Sequence, residues 1–332
     1  MVIMVTGCNK TPVTMQSISL FAMDTYMDIQ AVCSPEVLDE AGNMIHNLEN
    51  IISVTNNTSN IYTLNNEGTA VFENDAAKLI TDAYAMCDLT DGALDITIYP
   101  VLKAWGFTTG SMRVPEGDEI ERLLANVDYT KVNITGDEAI TVNIPSGVQI
   151  DLGSVAKGYT SDMIGDFLRQ ERVGSALINL GGNVMCIGTK PSGDLWKVAI
   201  KSPFTDSKSG IIGVYEAKDE AIITSGGYER YFEQDGNIYW HILDPATGTP
   251  VRNGLVSVTV IGKKGIVCDA LSTAVFVMGL EKGTMFWQEH PELEVDLVFV
   301  TEQKDIYVTE GIADKFSLSS EYSELTPVII YR

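Results

Sequence analysis

The sequence predicts an α+β fold in which helices pack on mixed, largely antiparallel sheets. Helical and strand patterns mix along the chain without the regular strand–helix–strand repeat of a doubly wound sheet. Strands separated by glycine-containing turns dominate the second half of the chain. The chain has 332 residues, of which 45% are hydrophobic, and this is enough for a sizeable core. We therefore expect two interlocked lobes with a ligand-binding cleft between them.

The first half of the chain combines amphipathic helices with short strands. Residues 36–54 and 74–90 carry apolar side chains three and four positions apart, which predicts two helices. Residues 21–31 alternate in polarity as a strand does. Residues 56–66 are rich in Asn, Thr and Ser, which predicts a loop. The other elements expected here are a helix at 118–127 and strands at 132–134, 139–144 and 149–152.

The second half begins with a predicted helix at 154–169 and then becomes rich in strands. Short apolar runs bounded by Gly, Asp and Asn predict these strands. A second, strongly apolar helix is expected at 268–278. The strands are expected at 175–179, 184–187, 195–200, 211–216, 221–224, 228–233, 239–243, 256–261, 295–301, 306–309 and 328–331.

The composition argues against several classes of protein. The formal net charge of −23 repels a phosphate backbone, so we expect no nucleic-acid binding. The five cysteines form no CxxC pair and no regular spacing, so a zinc site is not expected. No run reaches the ~18 apolar residues that a membrane-spanning helix needs. An anionic ligand would have to be held locally, by backbone N–H groups, by one or two lysines or by a metal.

Cys8 stands apart from the other cysteines. It follows Val5, Thr6 and Gly7 at the end of a short apolar stretch and precedes a polar segment. Small residues before such a cysteine resemble the lipobox of a bacterial lipoprotein, in which the cysteine is lipidated and the polar segment is a tether. We expect residues 1–17 to be this N-terminus and tether, and residues 18–332 to form a single domain.

Two glycine-containing segments are suited to an anionic ligand. In residues 151–159 (DLGSVAKGY) a strand ends at a Gly-Ser turn and a helix begins with Lys157 in its first turn, where free N–H groups and the helix dipole favour an anion. Ser154 is equally an ordinary helix cap. Gly181 and Gly182 allow close approach of a ligand to the backbone, or simply form a turn.

Two polar pairs carry candidate chemistry. His241 lies three residues before Asp244, a spacing suited to acid–base work, although His241 packing in a strand and Asp244 opening a turn would explain the same residues. Asp269 and Thr273 lie one helical turn apart, so their oxygens face one way. A carboxylate and a hydroxyl suit Mg2+, whereas the structural alternative is a helix-dipole partner and a back-bonded threonine.

Together these segments resemble the signature of the ApbE family of FAD:protein FMN transferases. The resemblance extends over nearly the whole chain from residue 18, so residues 18–332 are expected to form one ApbE-like domain with an FAD cleft. One departure is Ala246, where the family usually has Arg. The matching segments are residues 151–159 (DLGSVAKGY), 181–183 (GGN), 225–230 (SGGYER), 241–248 (HILDPATG) and 269–274 (DALSTA).

The resemblance implies a role for each matching residue. Asp269, Thr273 and the Ser154 carbonyl are implied as Mg2+ ligands. His241 and Asp244 are implied as the groups that activate or shape the acceptor site. The residues implied to bind FAD are Met23, Ser59, Asn60, Tyr62, Asp95, Lys157, Gly181, Gly182, Asn183, Ser225, Gly226 and Tyr228.

The resemblance also implies a reaction and a location. FMN would pass from FAD to a Ser or Thr hydroxyl of an acceptor protein through a phosphoester bond, with release of AMP. The acceptor would be a membrane redox subunit or a flavin-carrying domain. The enzyme would be an extracytoplasmic, membrane-anchored lipoprotein at the cell surface or in the periplasm. The alternatives are an FAD pyrophosphatase, a non-catalytic flavin-binding lipoprotein and a surface interaction protein without a ligand.

Overall fold

The computed structural model describes residues 14–332, so Cys8 and most of the predicted tether lie outside the described residues. The predicted α+β class is confirmed. The helices of the described part are α1 (Pro35–Ile52), α2 (Asn60–Glu67), α3 (Asn74–Leu89), α4 (Tyr99–Trp105), α5 (Gly117–Leu124), α6 (Ala156–Gln170) and α7 (Gly265–Glu289). The strands are β1 (Met15–Ala22), β2 (Thr25–Val32), β3 (Thr69–Glu73), β4 (Asn133–Thr135), β5 (Ala139–Asn143), β6 (Ser175–Leu180), β7 (Asn183–Gly188), β8 (Trp196–Lys201), β9 (Ile211–Ala217), β10 (Ala221–Gly226), β11 (Tyr231–Gln234), β12 (Asn237–Trp240), β13 (Leu255–Gly262), β14 (Asp296–Thr301), β15 (Ile306–Thr309), β16 (Phe316–Leu318) and β17 (Val328–Ile330).

A nine-stranded sheet forms the centre of the molecule. Its strand order is β1-β2-β6-β7-β10-β13-β14-β15-β17. Every neighbouring pair in it is antiparallel except β15 and β17, which are parallel. Smaller sheets are formed by β16-β9-β8, by β3-β5-β4 and by the hairpin β11-β12. The expectation of largely antiparallel sheets is therefore confirmed.

In the middle of the central sheet both faces are covered, and successive side chains of a strand join different cores because they point to opposite faces. On β14, Leu297 and Phe299 join the larger core together with the helices, whereas Val298 and Val300 join a second core against the β16-β9-β8 sheet. A third, smaller core around Val101 and Trp105 lies under α4 and α5. Residues at the ends of the central strands border the cavity described below.

The predicted loop at 56–66 is wrong over most of its length, because α2 begins at Asn60. The Ser59 hydroxyl accepts a hydrogen bond from Tyr62 N and so caps the helix. Ile61 and Leu64 are fully buried on its inner side. Only these two apolar residues anchor the helix, so composition alone indicates a loop, and tertiary packing decides the outcome.

Two strand predictions also differ from the structure. Residues 21–31 are not one strand, because Met23 and Asp24 both have positive φ and form the turn of the β1–β2 hairpin. Residues 149–152 form no strand, since Ile150 N donates to the Asn65 side chain and Asp151 N donates to Ile96 O. Strand β1 begins at Met15, inside the predicted tether. Among the described residues, no helix is long and apolar enough to cross a membrane.

Candidate active site

A cavity of about 650 Å³ is bordered by the β1–β2 turn, the start of α6, the end of β10 and the side of α7. Its volume is within the range usual for small-molecule and cofactor sites. The structure brings most of the predicted site residues onto its wall. Those residues are Met23, Asp95, Ser154, Lys157, Gly181, Gly182, Asn183, Ser225, Gly226, Tyr228, His241, Asp269 and Thr273.

A close crossing of α6 and α7 builds one wall of this cavity. A Cβ at Gly158 would lie 2.3 Å from Gly265 O and 2.5 Å from the Asp269 Cβ, so only glycine fits there. Asp162 holds the same crossing, because its carboxylate accepts hydrogen bonds from the N–H groups of Gly265 and Ile266 at 2.7 and 2.9 Å. The first turn of α7 is thereby fixed to α6.

This crossing places the Asp269 carboxylate at the beginning of α6. Asp269 is 5% exposed, and its Oδ2 accepts a hydrogen bond from Gly158 N at 2.8 Å. Burial raises the pKa of Asp269, while the Lys157 charge and the Gly158 N–H oppose the rise. The carboxylate is therefore held in a fixed orientation in a site where its charge calls for a positive partner.

Oxygen donors cluster around Asp269. Ser225 Oγ lies 2.8 Å from Ser272 Oγ and 3.3 Å from Thr273 Oγ1, and Thr273 lies on the cavity wall one turn beyond Asp269. Ser154 lies on the same wall. One carboxylate with hydroxyl and carbonyl oxygens fits Mg2+, which prefers oxygen ligands and retains positions for water and phosphate. Among the described residues, no group of three or more His, Cys, Asp or Glu side chains offers a metal site.

Lys157 and the neighbouring turns supply the features of an anion site. Lys157 is the second residue of α6, and no carboxylate of the described residues lies within ion-pair distance of it. Gly182 has φ +99° and open space around it, so a ligand can approach its backbone. The Asn183 side chain lies on the same wall beside Asp269, where its interaction with the carboxylate opposes the rise in the pKa of Asp269. Its buried Nδ2 makes no close hydrogen bond within the described residues, so it can also serve an acceptor atom of a ligand.

His241 also lines the cavity and lies directly after β12. Its Nδ1 lies 3.2 Å from the Arg230 carbonyl, which can only accept, so Nδ1 carries the proton and Nε2 does not. Burial lowers the pKa of His241 to about 4, and the charges of Arg230 and Lys157 act in the same direction. His241 is therefore neutral at pH 7 and has one ring nitrogen able to accept a proton.

Asp95 lies on the cavity wall, but both oxygens of its carboxylate already accept hydrogen bonds from neighbouring residues. Its Oδ1 accepts hydrogen bonds from the N–H and hydroxyl of Thr97, and its Oδ2 accepts one from Tyr129 N. Burial raises the pKa of Asp95 and these hydrogen bonds lower it. The side chain thus holds the loop after α3 in place, which shapes the wall of the cavity.

Four predicted site residues are not on the cavity wall. Ser59 caps α2, and Asn60 Nδ2 donates to Val71 O. Tyr62 follows on α2, and the cavity is instead bordered by the preceding loop, residues 53–55. Asp244 forms a turn, with Oδ1 accepting from Ala246 N and its carbonyl accepting from Gly248 N at 2.7 Å. The turn that was the structural alternative for Asp244 is therefore what the structure shows, and Ser59, Asn60 and Tyr62 belong to helix α2 and its cap.

The cavity also contains charged residues to which sequence analysis gave no role. Asp151 and Arg230 both lie in segments that carry the family signature, and Lys201 and Glu229 form an ion pair at 3.0 Å. Burial raises the pKa of Asp151, while the Gly153 N–H, Arg230 and Lys157 oppose the rise. The signature segments indicated Asp151 and Arg230, but nothing in the β8 sequence indicated Lys201.

Comparison with protein families agrees with this geometry. The family model described as the ApbE family matches residues 23–297, which includes every cavity-lining residue named above. A protein of Klebsiella pneumoniae named FAD:protein FMN transferase is 37% identical over 246 residues, covering 74% of this chain and 75% of its own. A Vibrio cholerae protein of the same name is 30% identical over 292 residues, and the match covers 85% of this chain and 86% of the Vibrio protein.

Solved structures agree with the sequence relatives. The crystal structure of the ApbE protein from Thermotoga maritima has a TM-score of 0.82 and 32% identity, and the match covers 91% of this chain and 99% of that one. The apo form of the flavinyl transferase ApbE from Pseudomonas stutzeri has a TM-score of 0.78 and 25% identity, covering 93% and 100%. The family model matches most of the chain, and the relatives that cover most of it carry the name of the same enzyme. The chain therefore belongs to the ApbE family.

Proposed function

We propose that this protein is an Mg2+-dependent enzyme that transfers FMN from FAD to a Ser or Thr hydroxyl of an acceptor protein and releases AMP. One observation carries the proposal: a single cavity joins a buried carboxylate, a helix start whose N–H groups and Lys157 suit an anion, and a neutral histidine. The names of the Klebsiella and Vibrio relatives support the same reaction.

The cavity suits FAD as the substrate. Lys157, the first turn of α6 and the Gly182 backbone offer positive charge and N–H groups for its diphosphate. Asp269, Thr273 and the Ser154 carbonyl would hold Mg2+, which neutralises diphosphate charge and stabilises a phosphate leaving group. Asn183 Nδ2 and Tyr228 OH are further buried polar groups on this wall, and neither makes a close hydrogen bond within the described residues.

Activation of the acceptor hydroxyl is assigned to His241. A hydroxyl is a weak nucleophile and needs a base. His241 Nε2 takes its proton while the acceptor oxygen bonds to the phosphorus on the riboflavin side. The bond from that phosphorus to the bridging oxygen breaks, and AMP leaves with the electron pair. Arg230 holds the His241 tautomer through its carbonyl and brings a positive charge to the same wall.

The reaction is tested with a purified flavin-carrying domain of a bacterial membrane redox complex, incubated with this protein, FAD and MgCl2. Mass spectrometry is expected to find FMN on one Ser or Thr of the carrier domain, with AMP released in equal amount. The carrier domain with that residue replaced by Ala is the control. Release of AMP and free FMN without any adduct would assign the pyrophosphatase activity instead.

The lipid anchor and the location belong to the same proposal. The segment Val5-Thr6-Gly7-Cys8 supports a lipidated Cys8 that anchors the enzyme to the membrane outside the cytoplasm, near membrane redox subunits. Mass spectrometry of the protein expressed in a bacterium is expected to find a diacylglyceryl group on Cys8. An unmodified Cys8 in a fully soluble protein would overturn this part.

A further inference from the structure

The hairpin β11–β12 begins and ends on the wall of the cavity. Arg230 immediately precedes β11 and His241 immediately follows β12, and both line the cavity. His241 N donates to Arg230 O at 3.1 Å, which closes the open end of the hairpin. The Arg230 guanidinium also lies 3.9 Å from Asp24 on the β1–β2 turn. The hairpin therefore projects from the point where the acceptor hydroxyl is expected to react.

One face of this hairpin is anchored, and the other is exposed except at Trp240, which packs against the main core. Phe232 and Tyr239 stack on each other with ring centroids 5.3 Å apart, and both pack on Trp105. On the opposite face Tyr231 is 51% exposed and Ile238 is 46% exposed. A hairpin held on one face by aromatic packing keeps its free edge in a fixed place.

Strand β11 has a free backbone edge. The hairpin forms a separate two-stranded sheet, and in the described residues neither strand pairs with a third. Hydrogen-bonded and non-bonded pairs alternate in antiparallel strands, and the pair of Arg230 and His241 is a bonded one. Tyr231 and Glu233 therefore lie in non-bonded pairs and direct their N–H and C=O groups away from β12. Both residues are exposed.

The edge of β12 is protected, in contrast to that of β11. The carbonyl of Ile238 accepts a hydrogen bond from the Arg252 guanidinium. The same guanidinium lies 4.7 Å from the centre of the Trp240 ring. A charged side chain laid on an edge strand is a common device that prevents pairing there. Only the β11 edge of this hairpin is thus open to another extended chain.

We propose that an extended segment of the acceptor protein pairs with the β11 edge and leaves it at Arg230, so that its Ser or Thr passes over the cavity mouth. This inference rests on the proposed function, because it assigns the docking site of the polypeptide substrate. Strand addition recognises backbone rather than particular side chains, which suits an enzyme whose acceptor is a protein. Tyr231 supplies an apolar contact beside the added strand.

The substitution Glu233→Pro tests this docking directly. Proline removes the outward N–H of residue 233 and places its ring on the edge, while the hydrogen bonds between β11 and β12 stay intact. The KM for the flavin-carrying domain is expected to rise about 10-fold or more, because a backbone hydrogen bond to the added strand is lost and the proline ring blocks the adjacent edge. The KM for FAD and the thermal stability are expected to stay within error of wild type.

Three further variants separate the backbone edge from side-chain effects. Glu233→Gln removes the charge but keeps the N–H, and it is expected to leave the KM for the carrier domain near that of wild type. Tyr231→Ser is expected to raise this KM, whereas Tyr331→Ser, at a tyrosine that is 63% exposed on the C-terminal segment, is expected to leave it unchanged. Equal effects of Glu233→Gln and Glu233→Pro would overturn the edge-pairing proposal.

The remaining outcomes distinguish the docking site from the reaction itself. If wild-type protein labels the carrier domain and Glu233→Pro labels it with the same KM, the docking proposal is wrong and the proposed function stands. If wild-type protein labels no acceptor, both are overturned. If sedimentation shows that wild type is a dimer and Glu233→Pro a monomer, the edge pairs with a second copy of this chain and not with the acceptor.

Discussion

At Asp269 the requirements of function and stability oppose each other. Burial raises the pKa of this carboxylate, so ionising it costs free energy in the folded protein without a bound cation. Asp269→Asn keeps an oxygen for the Gly158 N–H but removes the charge. We expect FMN transfer to fall about 100-fold or more, with a Tm equal to or above that of wild type.

The matched control for Asp269→Asn is Asp166→Asn. Asp166 is an exposed carboxylate on α6 that pairs with Arg169 at 3.0 Å, away from the cavity. It is expected to keep wild-type transfer. Full activity of Asp269→Asn would remove this residue from the chemistry, and a large fall in its Tm would show that the carboxylate has mainly a structural role.

His241 sets the expected pH dependence of transfer. Only the neutral imidazole can accept a proton, and the pKa of His241 is lowered to about 4 by burial and nearby cations. The base is thus present above pH 4 and lost as the pH falls through that value. We expect kcat/KM for the carrier domain to show no histidine-dependent fall between pH 8 and 5, because kcat/KM reports the free enzyme.

The His241→Gln variant isolates this group. Its transfer rate is expected to fall by about 10² to 10⁴, with no acid limb assignable to residue 241. FAD binding, measured by flavin fluorescence, is expected to persist. A wild-type limb with a midpoint near the ordinary histidine pKa of about 6.5 would contradict the buried, neutral assignment.

The sequence predicted some residues of the cavity wall and not others. Asp269, Thr273 and Lys157 share one cavity, as the signature segments implied. Asp244 does not, because an Asp before Pro has the same sequence pattern whether it opens a turn or serves a substrate. Lys201 was missed because nothing distinguishes one alternating lysine on β8 until the strand is placed beside the cavity.

At the scale of elements, the α6–α7 crossing is expected to be intolerant of any side chain at Gly158. Alanine normally favours a helix interior over glycine by ~1 kcal/mol. Here its Cβ would lie 2.3 Å from Gly265 O, and the helices would have to separate. We expect Gly158→Ala to lower the free energy of unfolding by about 1 to 3 kcal/mol and to reduce transfer, since Asp269 moves with α7.

Gly174→Ala provides the comparison for that variant. A Cβ at Gly174 would meet nothing within 4 Å, and its φ lies outside the left-handed region. Urea unfolding of both variants is the measurement, and Gly174→Ala is expected to be neutral or slightly stabilising. Equal stability of Gly158→Ala and wild type would show that the two helices do not pack as closely as described.

Elements were predicted best where their periodicity was long. Helices α1 and α3 follow the apolar spacing of 36–54 and 74–90 closely, because each buries a continuous stripe. Helix α2 and strand β3 were not predicted, because each is short and places few residues in the core. The order of the central sheet was beyond sequence reasoning, because it depends on contacts between distant strands.

At the scale of the whole molecule, FAD is expected to stabilise the fold. The cavity is lined by residues from elements far apart in the sequence, between the β1–β2 turn and α7, so a bound ligand holds these elements together. A ligand at 100 times its Kd stabilises the native state by about 2.7 kcal/mol. We expect FAD with MgCl2 to raise the Tm by about 4 °C or more in thermal unfolding. No rise at saturating FAD would mean that the cavity does not bind it.

Transfer of FMN from this cavity to another protein can be followed in a single experiment. Wild-type protein and Asp269→Asn are incubated with FAD, MgCl2 and the flavin-carrying domain, and the intact mass of the domain is recorded with time. We expect one FMN per carrier domain with wild type and almost none with Asp269→Asn or with excess EDTA. An unchanged carrier mass beside intact FAD, or equal labelling by both proteins, would contradict it.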